Sequence, residues 1–247
     1  MPSPNDLDLL NDTFGDPTSD SASESSAQPD ATEMVEALRA DDKTQRMIAA
    51  RYFCDNKDER ATEPLIDIIA TNDCPLTRVS AAYALGRNPS EAAVPTLIDL
   101  LENDWNGYVR KGVVWALGNC GDRRALEPLI HALKTDISAV RLWAASSLAQ
   151  VAKLEYEDIV QSIPPLIAGL RRDKMAAVRS NCAWSLGQLC REMPSNVIYA
   201  TAIDALIESL VEDEDIGVKE DARAALLRVG DPNGLQMIEE LEAEGLI

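Results

Sequence analysis

Apolar residues recur along this chain at helical spacing, and one nine-residue phrase carries the pattern. It reads Arg78-Val-Ser-Ala-Ala-Tyr-Ala-Leu-Gly86, Arg110-Lys-Gly-Val-Val-Trp-Ala-Leu-Gly118, Arg141-Leu-Trp-Ala-Ala-Ser-Ser-Leu-Ala149 and Arg179-Ser-Asn-Cys-Ala-Trp-Ser-Leu-Gly187. Degenerate copies occupy Arg46–Cys54 and Lys219–Leu227, so the leading positions step by 32, 32, 31, 38 and 40 residues. Self-similarity at such a period marks a stacked solenoid, in which each unit buries its apolar face on its neighbours. Counting from the leading Arg, positions +3, +4 and +7 share one face of a helix. Those residues are Ala81, Ala82 and Leu85; Val113, Val114 and Leu117; Ala144, Ala145 and Leu148; and Cys182, Ala183 and Leu186. They are the expected core.

Between these phrases each repeat reads as a first helix closing on an apolar run: Glu63-Pro-Leu-Ile66, Val94-Pro-Thr-Leu-Ile98, Glu127-Pro-Leu-Ile130, Ile163-Pro-Pro-Leu-Ile167 and Asp204-Ala-Leu-Ile207. Proline suits a first helical turn, where its missing N–H leaves no bond unmade. A polar turn follows, with Asp73, Asp104, Asp136, Asp173 or Asp213 five or six residues before the next leading Arg or Lys. An Asp there caps a helix or closes the turn. The second helix runs from the leading Arg to a break such as Gly121-Asp122 or Gly230-Asp231. The expectation is an all-α, HEAT-like solenoid of about six two-helix repeats over 32–247, preceded by a tail at 1–31. The tail holds Asp6, Asp8, Asp12, Asp16, Asp20, Glu24 and Asp30 with no Lys or Arg. Such a segment buries too little apolar surface to offset its ordering entropy and is expected to be disordered.

Positions +2, +5 and +9 face away from the core, towards the inner wall of the stack. They place Tyr83, Trp115 and Trp184 at +5, Trp143 at +2, and Arg87, Asn119, Gln150 and Gln188 at +9. Aromatics number only 4% of residues, so three Trp on one wall stand out. Two readings fit: aromatics flanked by Arg and amides compose binding hot spots, or the rings fill space between neighbouring second helices. These eight residues are the candidate site for a protein partner. The leading Arg46, Arg78, Arg110, Arg141 and Arg179 are read as architecture, each guanidinium bonding a turn carbonyl or a neighbouring turn's Asp.

Charge narrows the partners. A net charge of −19 opposes nucleic acid, whose phosphates require a basic footprint, and opposes an anionic membrane surface. No apolar run reaches the length of a membrane span and no signal-peptide pattern opens the chain, so a cytosolic location is expected.

Chemistry is sparse. The five cysteines, Cys54, Cys74, Cys120, Cys182 and Cys190, include no Cys-x-x-Cys pair. Cys54, Cys120 and Cys190 end second helices of alternate repeats. Stacked helices about 10 Å apart put them about 20 Å from one another, too far to share one metal, so none is expected. Cys182 substitutes for the Ala or Val of sister repeats and reads as core. His131, the lone histidine, reads as a surface residue away from the wall, and no Gly-rich phosphate loop is present. No catalytic residue is assigned.

The phrases Val109-Arg-Lys-Gly-Val-Val-Trp-Ala-Leu-Gly118 and Gly121-Asp-Arg-Arg-Ala-Leu-Glu-Pro-Leu-Ile130 resemble the HEAT-like repeat of the phycobilisome-lyase type, over roughly Thr32 to Glu240. Within that class, Asp104-Trp-Asn-Gly-Tyr-Val-Arg-Lys-Gly-Val-Val-Trp-Ala-Leu-Gly-Asn-Cys120 is similar to the cyanobacterial HEAT-repeat proteins associated with the iron–sulfur carrier IscA. That resemblance implies a non-enzymatic adaptor in iron–sulfur or redox homeostasis, with an IscA-type carrier as partner and any [2Fe–2S] cluster held by or shared with it. Sister families imply the alternative, an E/F-type bilin lyase subunit or phycobilisome factor handling a phycobilin and a phycobiliprotein. In that case Arg would pair with propionates and Trp would stack on pyrroles.

Overall fold

In a computed structural model, described for residues 30–152 and 155–246, the chain is all-helical. The expected tail falls almost wholly outside the described residues; the compact unit begins at Ala31. Thirteen α-helices follow among the described residues: α1 (Ala31–Ala37), α2 (Lys43–Asp55), α3 (Thr62–Thr71), α4 (Pro75–Arg87), α5 (Val94–Asn103), α6 (Gly107–Cys120), α7 (Leu126–Thr135), α8 (Ser138–Ala152), α9 (Tyr156–Arg172), α10 (Ala176–Cys190), α11 (Val197–Glu212), α12 (Ile216–Val229) and α13 (Pro232–Ala243). The first twelve pair into six antiparallel repeats, and α13 packs on α11 and α12 at the end of the stack.

Local chemistry explains the boundaries. Asp58, Ser90 and Asp122 each accept the amide two residues ahead, starting short 3₁₀ turns that lead into α3, α5 and α7. At the other end, α6 and α12 stop at Gly121 and Gly230, whose φ of 62° and 74° suits glycine. Two sequence expectations are corrected. The Pro-Leu-Ile phrases open α3, α5 and α7 rather than close them, because the first turn is where a proline's missing N–H costs no helical hydrogen bond. In α9 the residues ahead of Pro164 are themselves helical, so Pro164 and Pro165 lie inside a 17-residue helix. The second helices also start earlier than expected: each leading Arg or Lys is the fourth residue of its helix.

The expected core face is buried as read: all twelve residues at +3, +4 and +7 of the four full phrases are solvent-inaccessible. The buried surface is wider than that face, because Ala84, Ala116, Ser147 and Ser185 at +6 are buried too. The reason is close stacking of successive second helices. A methyl group on Gly86 would lie 3.1 Å from the Ala116 Cα, on Gly118 3.0 Å from the Ser147 Cα, and on Gly187 3.0 Å from the Ala225 Cα. Glycine at +8 therefore lets neighbouring backbones touch. First helices approach one another far less. A stack drawn tight on one layer and loose on the other curves towards the tight layer, so α2, α4, α6, α8, α10 and α12 form the inner, concave wall.

Candidate functional site

The wall is held in register by a ladder of ion pairs. Asp104, Asp136, Asp173 and Asp213 close the turns after α5, α7, α9 and α11 by accepting the amides of Asn106, Ile137, Met175 and Asp215 at 2.6–2.9 Å. Each carboxylate also receives the leading Arg of the preceding repeat: Arg78, Arg110, Arg141 and Arg179 respectively. Three of the four pairs are two-pronged. Arg110, for example, donates Nε and Nη2 to the two Asp136 oxygens at 2.8 and 2.6 Å, while Nη1 reaches the Asp104 carbonyl at 2.7 Å. Arg141 and Arg179 repeat the arrangement, bonding the Asp136 and Asp173 carbonyls. For Asp173 and Asp213 burial alone would raise the pKa. The hydrogen bonds and charges of Arg141 and Arg179 outweigh it and hold both below the ordinary carboxylate value of 3.8.

The architectural reading of the Arg series is therefore correct, with one amendment. Asp73 is exposed; the residue that closes the α3–α4 turn is Asn72, whose Oδ1 accepts the Cys74 amide at 2.9 Å. The first of these turns thus closes on an amide where the others close on a carboxylate. Arg46 bonds the carbonyls of Ala40 and Asp41, and Lys219 bonds that of Val211.

The eight candidate residues do lie along the wall, but the rings do not stand clear of the core. Tyr83, Trp115, Trp143 and Trp184 are all half-buried, and Trp143 and Trp184 pack against the core cluster. The Trp115 ring lies over Gly86 of the preceding second helix, with its centroid 5.3 Å from that of Tyr83. Side chains on a helix lean towards its N-terminus. Gly86, at +8 of the neighbouring helix, leaves the room into which the Trp115 ring turns. At +9, Arg87, Asn119 and Gln150 are exposed and Gln188 is half-buried; the Asn119 amide donates to the Trp115 carbonyl at 3.1 Å. Lys111 stands with its Nζ 5.9 Å from the Trp143 centroid.

Sequence reasoning missed the most exposed aromatics. Trp105 is 74% and Tyr108 71% exposed, with Leu76 at 58% beside them in the repeat order. The Arg78 guanidinium lies 5.8 Å from the Trp105 centroid. Tyr108 and Leu76 precede the leading Arg by two, which puts them in line with +5 and +9 once the helix is started three residues earlier. That earlier start was the signal available.

The thiols are mostly sealed. Burial pushes Cys54 and Cys190 up to about 12 and raises Cys182 and Cys120 as well. Cys54 Sγ bonds the Ala50 and Ser80 carbonyls, and among the described residues no three His, Cys, Asp or Glu side chains group as metal ligands. Cys74, the N-cap of α4, differs: the Thr77 amide and hydroxyl hold its thiol below the ordinary value. His131 is exposed on α7, as expected, at a cleft of about 550 Å³ with Glu102, Arg110 and Asp136. No helix among the described residues is long and apolar enough to cross a membrane.

Family comparison agrees with this architecture. HEAT repeats are matched at 31–112, 94–187 and 163–244, and the chain belongs to the HEAT-repeat family. No curated protein matches the chain. Among solved structures, a designed armadillo repeat protein in complex with the peptide (KR)4 shares 21% identity over 81% of this chain and 100% of its own, with a TM-score of 0.64. The CpcE–CpcF complex of phycocyanin lyase from Nostoc sp. PCC7120 shares 20% identity over 90% of this chain and 85% of that one, with a TM-score of 0.60. An engineered protein shares 26% identity over 82% and 99%, at 0.61. At these identities the armadillo and lyase likenesses concern the fold.

Proposed function

We propose that this chain is a non-enzymatic, cytosolic protein-binding scaffold that holds a partner against the wall of second helices. The observation that carries the reading is the wall itself: one half-buried ring or amide per repeat, repeated across α4, α6, α8 and α10 on a rigid, ladder-braced surface. Interfaces gain affinity from such partly seated aromatics ringed by polar groups. The fold neighbours include repeat proteins designed for peptide binding. The sequence resemblance to the cyanobacterial HEAT-repeat proteins associated with IscA points to an IscA-type iron–sulfur carrier as the partner. The thiols of this chain do not favour a cluster of their own: burial raises Cys54, Cys120, Cys182 and Cys190, Cys54 bonds main-chain carbonyls, and Cys74 is a single ligand. Cluster ligands would then come from the carrier.

A second reading has one supporting observation: Arg87 lies at the end of the same helix as Tyr83, whose ring meets Trp115, a grouping suited to a propionate and a pyrrole ring. Under it the chain is a bilin lyase subunit of the E/F type serving a phycobiliprotein, and incubation with phycocyanobilin gives a tightly held, red-shifted pigment. The scaffold reading is tested with a photo-crosslinking amino acid at Asn119 or Gln150 on the wall and at Asp99 on the outer layer. Discrete protein adducts from the wall positions and none from Asp99 are expected. Adducts from Asp99 alone, or equal labelling at all three, refute it.

A further inference from the structure

Acidic residues are sorted by layer in this fold. The chain holds 42 Asp and Glu in 247 residues, a frequency that would give each inner helix roughly two. Helices α4, α6, α8 and α10, of 13, 14, 15 and 15 residues, hold none. The acids sit on outer helices, as Asp67, Asp99 and Glu127 do, or in the turns, where Asp104, Asp136, Asp173 and Asp213 are taken by the Arg ladder. Acid is present on the flanking inner helices, at Asp55 of α2 and at Glu220 and Asp221 of α12. A protein of charge −19 thus keeps four consecutive wall helices free of negative charge.

Two cations on this wall remain after the ladder is counted. Among the described residues, neither Arg87 on α4 nor Lys111 on α6 has a carboxylate in ion-pair range. Lys111 is half-buried, and that burial lowers its ammonium pKa, the mark of a charge with too little solvation. Arg87 shares a cleft with Asp58, Glu59 and Glu63 without an ion pair to any of them, whereas at Lys111 an incoming carboxylate would supply a missing counter-charge. Further along, α8 and α10 offer amides and indoles at the same wall positions, with Gln150, Trp143 and Trp184. A primary amide both donates and accepts, so it pairs with a peptide main chain whatever its sequence.

We propose that the wall accepts an extended, acidic segment of a partner polypeptide, with its carboxylates bunched over α4 and α6 and its remaining residues lying on α8 and α10. The proposal rests on the scaffold reading above and specifies the partner's chemistry. Length follows from geometry: helices about 8–10 Å apart give about 24–30 Å across four of them, or roughly eight extended residues at 3.3–3.6 Å each. Nucleic acid is disfavoured because two free cations do not make a phosphate-binding footprint.

The test is selection of a displayed random nonapeptide library on the full-length protein and on Arg87→Glu/Lys111→Glu, both checked for unchanged helicity. Wild type is expected to enrich peptides with adjacent Asp or Glu at one end. A selected acidic peptide should lose at least tenfold in affinity on the double variant, which should itself enrich Lys or Arg. Enrichment of neutral or basic peptides by wild type, or selection unchanged by the double variant, overturns the proposal. So does tighter binding of an oligothymidine 12-mer than of the selected peptides. If no peptide is enriched while Gln150 still crosslinks a folded partner, the acidic-segment proposal fails and the scaffold reading stands. If crosslinks are absent as well, both fail.

Discussion

Asp173→Asn isolates the contribution of one ladder rung. Asp173 closes the α9–α10 turn by accepting the Met175 amide at 2.9 Å, and receives Arg141 Nε and Nη2 at 2.6 and 2.8 Å. Asparagine preserves the turn, as Asn72 does naturally when it accepts the Cys74 amide. What is lost is the charge opposite Arg141. Removing one partner of a buried pair costs about 3–5 kcal/mol. The Arg141 side chain is 20% exposed and keeps its bond to the Asp136 carbonyl, so the discounted cost is about 2–3 kcal/mol. For a domain of this size that lowers the melting temperature by about 4–12 °C. The control is Asp73→Asn, on an exposed carboxylate outside the ladder, expected to change stability by less than about 0.5 kcal/mol. The pH dependence supplies an independent reading. A carboxyl whose folded pKa is depressed adds stability above its unfolded pKa, and that stability is lost as pH falls through the folded value. For Asp173 the loss lies below pH 3.8, so the variant should show a shallower acid limb there than wild type. Urea and thermal denaturation followed by circular dichroism measure both effects. Equal shifts for Asp173→Asn and Asp73→Asn, or identical acid limbs, would refute the view that the rungs brace the stack.

Two further outcomes follow from the packing. Trp115→Ala should cost about 2 kcal/mol of stability, since its ring covers Gly86 and meets Tyr83, and Leu117→Ala in the closed core about 2–5 kcal/mol; a Trp115→Ala variant as stable as wild type would show that the ring is not a packing residue. With a disulfide thiol reagent at pH 8, Cys74 should react first, because Thr77 donors favour its thiolate while burial disfavours those of Cys54, Cys182 and Cys190; a fast phase that survives Cys74→Ser contradicts this.

Much of this molecule was legible in the chain because repeat folds are written locally. The +3, +4 and +7 residues share a face by helical geometry alone, so the core face needed no knowledge of neighbours. The recurring Arg and turn Asp were legible as architecture for the same reason: one spacing, repeated, is scaffolding. Tertiary structure decided how repeats meet. Arg110 bonds an Asp 26 residues away and Arg179 one 34 residues away, because each guanidinium crosses to the next unit. It also decided that Asn72 and not Asp73 closes its turn, a one-residue difference in where α3 ends. The rings on the wall were read either as exposed hot spots or as filling between second helices; they lie half-buried, and Trp115 does so because Gly86 leaves a slot beside it. Periodicity determines which face of a helix is apolar; only the packed stack determines how much of the opposite face the neighbouring helix covers.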